Sequence, residues 1–258
     1  MNIFISTNHL NKASKWEELP SILIDGVGIE VFPLWSESFE DMLQKYKDQL
    51  LKRPITFHSP YYGVEPSLSE DEEGYEEMIA SQIKTLKWAK KLKAKSIVFH
   101  HNNKRIEDKE VMLKNAHQNY LKFQKLSEPF GVVQVVENAG VLSSGNMLLD
   151  QDEFIDYCKK NSVTCLIDVG HVHANGWNIK KVVESLKNQI CFYHLHNNDG
   201  VSDSHQRIRD GSFDMEEFAY IYKTYTPKAD LTLEYSPKLK ISTEDLKNDI
   251  DWIRMMLY

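Results

Sequence analysis

The 258-residue chain has no apolar run of bilayer-crossing length and no charged-then-apolar leader at Met1-Asn2-Ile3-Phe4. The expectation is a cytoplasmic protein with no membrane partner. Cysteine is scarce. Cys158, Cys165 and Cys191 have no C-x-x-C spacing and read as reduced, mostly buried thiols. Basic runs are missing as well. A net charge of −7 is not built to hold a phosphate backbone by bulk charge, which counts against nucleic acid as a partner. No Gly-rich phosphate loop follows the first strand, where Ser6-Thr7-Asn8-His9 stands instead, and this argues against an open dinucleotide-binding sheet. No linker, low-complexity tract or shift in composition marks a second domain.

What the chain has is alternation. Short apolar, β-branched runs read as strands at residues 2–6, 28–32, 54–58, 96–100, 132–137, 163–167, 190–196 and 230–234. Helical sequence separates them. Residues from Ala13 to Leu19 are polar and helix-like. Ser38-x-x-Asp41, Ser69-x-x-Glu72, Asp150-x-x-Glu153 and Ser242-x-x-Asp245 each open a helix in capping-box style. Further helices are expected near Glu107 to Leu126, at Ile179 to Leu186 and from Met215. Strict alternation means parallel strands with crossover helices. Eight such units predict an α/β fold, a single-domain closed (β/α)8 TIM barrel over residues 1–258, with its site at the C-terminal strand ends.

Those strand ends carry the chemistry. Val163-Thr-Cys-Leu-Ile167 is apolar to its end and then delivers Asp168, Gly170, His171 and His173. The other strands end in the same manner, with His58, His100, Glu137, His196 and Glu234, while Asp203 and His205 follow strand seven. A closed barrel brings these to one mouth, and strand alternation puts His58 with Thr56, Glu137 with Val135, and Glu234 with Thr232 on inward faces. Imidazole and carboxylate ligands without thiolate suit Zn2+, Mn2+ or Fe2+ rather than Ca2+ or Mg2+. Nine groups exceed the needs of one ion, so two or three ions with Glu137 bridging is the economical reading.

Each residue also has a plainer reading. A lone strand-end His is more often a satisfied polar residue than a ligand. His101 and His173 read as packing or solvent-facing, and His194 as a donor behind the ligands. Glu30 ends strand two and would orient a ligating His through its second nitrogen or serve as a loop carboxylate. Tyr61 and Trp177 would wall a substrate or simply pack. The acidic run Glu70-Asp-Glu-Glu73 reads as a solvated first helical turn.

The series of motifs resembles the xylose isomerase-like TIM barrel superfamily, which includes endonuclease IV and the sugar phosphate isomerases/epimerases. The pieces that carry the resemblance are Phe99-His100, Val136-Glu137-Asn138, Ile167-Asp168-Val169-Gly170-His171, His194-Leu-His-Asn-Asn-Asp-Gly200, Asp203-Ser-His205, Asp210-Gly211 and Leu233-Glu234, with His58-Ser-Pro-Tyr61 similar to the third-strand motif of endonuclease IV. The resemblance implies that Glu137, Asp168, His196 and Glu234 hold one divalent ion and that the two glutamates shuttle protons. It implies a second zinc at His58, His100 and Glu137, and a third at His171, Asp203 and His205. Three departures separate the branches. The segment from His196 to His205 is shorter than in endonuclease IV, and the loop after His58 is acidic rather than basic. Many epimerases have Arg at the position of His205.

Two enzyme classes therefore compete. The leading expectation is a sugar or sugar phosphate isomerase/epimerase with Zn2+ or Mn2+ (one to three ions) and with Glu137, Glu234 and His171 as catalytic residues. The alternative is a multinuclear zinc phosphoester hydrolase. His171 divides them, as a metal ligand for hydrolysis or a contact to a sugar hydroxyl for epimerisation. A binding or regulatory barrel is the remaining class, and it would leave a ligand-rich mouth without a task. Oligomeric state stays open, because the apolar helix ending at Tyr258 would pack on the barrel or on a partner subunit.

Overall fold

The computed structural model describes residues 1–11 and 15–257. Eight parallel strands close into one barrel in chain order: β1 (Ile3–Ser6), β2 (Gly28–Val31), β3 (Ile55–Phe57), β4 (Ser96–Phe99), β5 (Val133–Glu137), β6 (Cys165–Asp168), β7 (Ile190–Leu195) and β8 (Asp230–Leu233). Closure is made by β1 against β8, with Phe4 opposite Thr232. Each strand is shorter by a residue or more than its apolar run suggests: β1, β5 and β6 start later than expected, and β3, β4, β7 and β8 stop just before the polar residue that ends the run.

Inside the ring, the bottom is filled by apolar residues, with Val98, Val135 and Leu166 buried together and Phe192 against them. Phe4 meets Phe192 edge-on at 6.2 Å. Gly28 is required there, since a Cβ would run into the Phe4 ring. Residues two and four places further along the same faces are His100, Glu137, Asp168, His194 and His196. The change from apolar to ionisable side chains along each inward face sets the floor of the site. Outside the ring, the alternate strand residues pack against the helices in a second, larger core.

Two of the four expected capping boxes form as such. Asp150 and Glu153 form the reciprocal pair at the helix Gln151–Asn161, and Ser242 with Asp245 do the same before Thr243–Leu257. Ser38 does not cap. The helix Glu37–Lys45 begins earlier, on Ser36, whose hydroxyl accepts from the Phe39 amide at 3.2 Å. Ser69 and Glu72 do bond to each other, at 2.6 Å from the Ser69 amide, but they close a turn ahead of the helix Tyr75–Lys91, which starts on Gly74 at φ +90°. The acidic run is thus a turn before the helix and not its first turn. Glu70 in it pairs with Lys122 at 3.0 Å. The start of the expected first helix at Ala13 lies outside the described residues. From Trp16 the chain forms a 3-10 turn and then a single helical turn, Leu19–Ile22.

The last helix packs on the barrel, with Leu246, Ile250 and Ile253 buried. Its Asp249, fully buried, takes Arg207 through two bonds of 2.9 Å and the Tyr235 hydroxyl at 3.0 Å. This ties the helix to the loop after β7. Asp249→Ala would leave the Tyr235 hydroxyl, which still accepts from the Ile208 amide, without an acceptor for its own hydrogen and Arg207 with Asp245 alone, and is expected to cost about 3 kcal/mol in urea unfolding. Asp152→Ala, which removes an exposed pair with Lys181, is expected to change stability by less than about 0.5 kcal/mol. No described helix is long and apolar enough to cross a membrane.

Candidate functional site

The site is built from strand ends. His58, His100, His196 and Glu234 each follow the last residue of β3, β4, β7 and β8, while Glu137 and Asp168 are the last residues of β5 and β6. Helix Val169–Ala174 starts directly on Asp168, whose carboxylate accepts from the His171 amide at 2.7 Å. This short helix was not evident from periodicity, being under two turns long. It aims His171 into the mouth. Asn138 clamps Asp168 from both sides, accepting its amide at 2.7 Å and donating to its carbonyl at 3.2 Å.

All nine residues singled out from the sequence surround one mouth, in overlapping groups. His58, His100 and Glu137 form one, Glu137, Asp168 and His171 a second, and His171, His196, Asp203 and His205 a third, while Glu234 falls in a fourth with Glu30 and His194. Glu137 joins the first two, as its Oε2 lies 3.0 Å from His100 Nε2 and 3.8 Å from His58 Nε2, and its Oε1 lies 3.4 Å from His171 Nδ1. Asp203 bridges His171 Nε2 at 3.4 Å and His205 Nε2 at 3.1 Å.

The ring tautomers follow from what each Nδ1 touches. His58 Nδ1 is 2.7 Å from the Ser59 carbonyl and His205 Nδ1 is 3.0 Å from the Glu234 carbonyl, so both must donate. Asn103 gives its amide hydrogens to the Val64 carbonyl, so its Oδ1 faces His100 Nδ1 at 3.0 Å and accepts. All three rings therefore turn Nε2 toward carboxylates. A neutral Nε2 and a carboxylate oxygen are both acceptors, and they sit within hydrogen-bond distance only with a proton or a metal ion between them. This is the arrangement of metal ligands fixed through their second nitrogen. The buried Nδ1 atoms of His171 and His194 face Glu137 at 3.4 Å and Glu234 at 3.1 Å without hydrogen-bond geometry, and that of His196 has no hydrogen-bond partner among the described residues. The donor set fits a borderline divalent ion such as zinc or manganese.

Electrostatics agree with the geometry. Burial and the neighbouring His100 push His58 down to about 4, leaving it neutral. Burial opposes a charge on His205, but Asp203 outweighs it and raises that ring to about 10. His171 moves up as well, against burial, through Asp168 and Asp203. Burial alone would raise Glu137, yet His100 and His194 hold it well below the ordinary carboxylate range. Against burial, neighbouring histidines lower Asp168, Asp203 and Glu234 too, so these carboxylates are held as anions, whereas burial raises Glu30.

Two features were not legible in the sequence, and a third, His194, goes further than the donor it read as: fully buried on β7, its Nε2 takes Glu30 at 3.1 Å, and its Nδ1 faces Glu234 at 3.1 Å and Glu137 at 3.5 Å. Glu30 thus backs His194. His205 adopts φ +45°, unusual for a non-glycine residue, and this stacks its ring on His196 at 3.7 Å. Phe32 stacks on His58 at 4.1 Å and, with Tyr61 and Tyr62, walls a cavity of about 360 Å³ above the ligands. Trp177 takes no part in that wall and packs on Phe154. His101 is buried edge-on to Tyr157, and His173 reaches the Ser212 hydroxyl at 2.8 Å.

The Asn-Asn-Asp run after His196 is scaffold. Asn197 holds the loop closed through Ile208 and Phe213, Asn198 donates to the Gly170 carbonyl at 2.8 Å, and Asp199 caps the turn at Val201 and Ser202. These bonds let a compressed loop place Asp203 and His205 over the mouth.

Comparison with known proteins agrees on the architecture. A D-tagatose 3-epimerase-like protein superposes with a TM-score of 0.80 at 18% identity, covering 100% of this chain and 97% of its own. The IOLI protein with a bound zinc atom gives 0.77 at 17% identity, covering 100% and 98%. An AP endonuclease, family 2, from Brucella melitensis gives 0.75 at 14% identity, covering 98% and 99%. At such identities the likeness establishes the fold alone. No curated protein matches significantly in sequence. The family described as xylose isomerase-like TIM barrel matches residues 23–256, and with an eight-stranded parallel barrel bearing imidazoles and carboxylates at its strand ends, the chain belongs to that family.

Proposed function

We propose that this protein is a divalent-metal-dependent epimerase or isomerase of a small sugar. The observation that carries the reading is the placement of Glu137 and Glu234. Both are buried, they come from strands three apart in the ring, and both approach His194 Nδ1 beneath a cavity sized for a small molecule. Glu137, Asp168, His196 and Glu234 would hold a Zn2+ or Mn2+ ion. Such an ion supplies polarisation of a bound ketose carbonyl, which acidifies the neighbouring C–H. One glutamate then takes the proton from that carbon, and the other returns a proton to its opposite face or to the adjacent carbon. His171 would contact a hydroxyl, and Phe32 and Tyr61, which line the cavity, would shield the reacting centre. Three free cysteines suit a reducing, cytoplasmic setting.

A second reading has its own observation. His58 and His100, with Nε2 turned to Glu137, and His205, turned to Asp203, have no metal to hold in a one-ion enzyme. A multinuclear phosphoester hydrolase would use them all. Two measurements separate the readings. The epimerase reading expects solvent deuterium to enter a ketose from a sugar panel, with exchange lost in both Glu137→Gln and Glu234→Gln. Two or three ions per chain by elemental analysis, together with cleavage of an abasic duplex and no exchange into any sugar, would replace it with the hydrolase.

A further inference from the structure

A groove runs from the cavity mouth toward the turn after β5, and its charge is the reverse of the site's. It is lined by Lys104, Arg105, Ser143 and Ser144 and shares Tyr61, Asn146 and Asp203 with the metal-ligand cavity. In a chain of net charge −7, some of the cations are held in ion pairs. Arg207, Lys84, Lys109, Lys122 and Lys181 all face carboxylates. Lys104 and Arg105 are adjacent, exposed and within ion-pair reach of no carboxylate among the described residues.

The loop that carries them is fixed. Buried Glu65 accepts the Asn103 and Lys104 amides, each at 2.8 Å. Asn102 donates to the Asn146 carbonyl at 3.1 Å, and the Ile106 amide to the Gly145 carbonyl at 2.9 Å. Gly145, at φ +72°, leaves the space in which the Arg105 guanidinium lies against the turn. A Cβ there would sit 3.0 Å from Arg105 Nε. The Ser144 hydroxyl, in the same groove, has no hydrogen bond to another described residue.

We infer that this groove is an anion subsite, and that it takes the terminal phosphate monoester of a sugar whose reacting carbons lie over Glu137 and Glu234. A guanidinium, an ammonium and a free hydroxyl together match a dianion with three oxygens better than a single carboxylate, for which one Arg suffices. The shared lining residues put the subsite one small molecule's reach from the ligands. This assignment rests on the sugar reading above and narrows it to phosphorylated substrates.

The test compares D-fructose and D-ribulose, each free and as its terminal phosphate monoester, binding to the metal-loaded full-length protein by calorimetry. At least one phosphate ester is expected to bind tighter than its free sugar by about tenfold or more, the effect of one charge-assisted hydrogen bond. In the double variant Lys104→Gln with Arg105→Gln, the ratio of the two dissociation constants should fall toward one. Because the ratio is read within each variant, general damage to the fold cancels from it. Three outcomes overturn the subsite: equal affinities in the unaltered protein, a preference that survives in the double variant because the phosphate sits on the metal, or a loss confined to an abasic duplex. Failure of deuterium exchange with the ratio intact would instead overturn the chemistry and leave the subsite standing.

Discussion

Glu137→Gln is expected to lower turnover by about 10²- to 10⁴-fold, the usual contribution of a positioned acid or base, and to remove at least one metal ion per chain. The amide keeps the shape of the carboxylate, so the loss measures charge and lone pairs. Oε2 faces His100, His58 and His194, and Oε1 faces His171. Among the described residues no other carboxylate lies within ion-pair distance of both His100 and His171. An amide nitrogen would present hydrogens to one group and a weak acceptor to the other, whichever way it turned. Turnover and elemental analysis on the same preparation check this, with circular dichroism to show an intact barrel. A variant with full metal content and full turnover would remove Glu137 from the centre of the site.

His100→Ala tests the same centre from its other side. If one ion suffices, metal content stays constant; if His58 and His100 hold their own ion with Glu137, it drops by one. The two glutamates would still act in either case, so turnover and ion count need not move together.

The parts of the molecule legible in the sequence were those governed by period. Apolar runs of strand length alternated with amphipathic stretches, and a sheet of eight such parallel units closes on itself. Strand alternation then required that a polar residue at the end of each inward face stand at one mouth. For this reason His58, Glu137, Asp168 and Glu234 could be grouped before any coordinates. What escaped depended on backbone hydrogen bonds without period. Ser36 caps in place of Ser38 because an N-cap is decided by local backbone angles, and both serines have a hydroxyl to offer. Helix Val169–Ala174 is too short for a hydrophobic stripe. His194 shares a face with His196, but only the approach of Glu30 from β2 across the ring turns it into the floor under two glutamates. Phe32 ended an apolar run with nothing in its spacing to mark a site, and it packs against the imidazole of His58.

Gly170→Ala is expected to damage the site from behind while leaving the barrel closed. A Cβ at this position would overlap the His196 imidazole, and the opposite face of that ring is covered by His205 at 3.7 Å with an interplanar angle of 16°. The ring therefore has no free side to move to. His196 Nε2 would leave the carboxylate of Asp168, now 3.0 Å away, and metal affinity should fall by about 10- to 100-fold, as it does when a ligand's support is lost. Overpacking of this size is also expected to cost about 1–3 kcal/mol in thermal or urea unfolding of the metal-free protein. His205→Ala supplies the check on the cause. With the stacked ring removed, His196 can swing into the vacated space, so the stability cost of Gly170→Ala should be smaller in that background than alone. Equal costs in the two backgrounds would show that the alanine acts on helix Val169–Ala174 or on the Asn198 bond to the Gly170 carbonyl, and not through the imidazole sandwich.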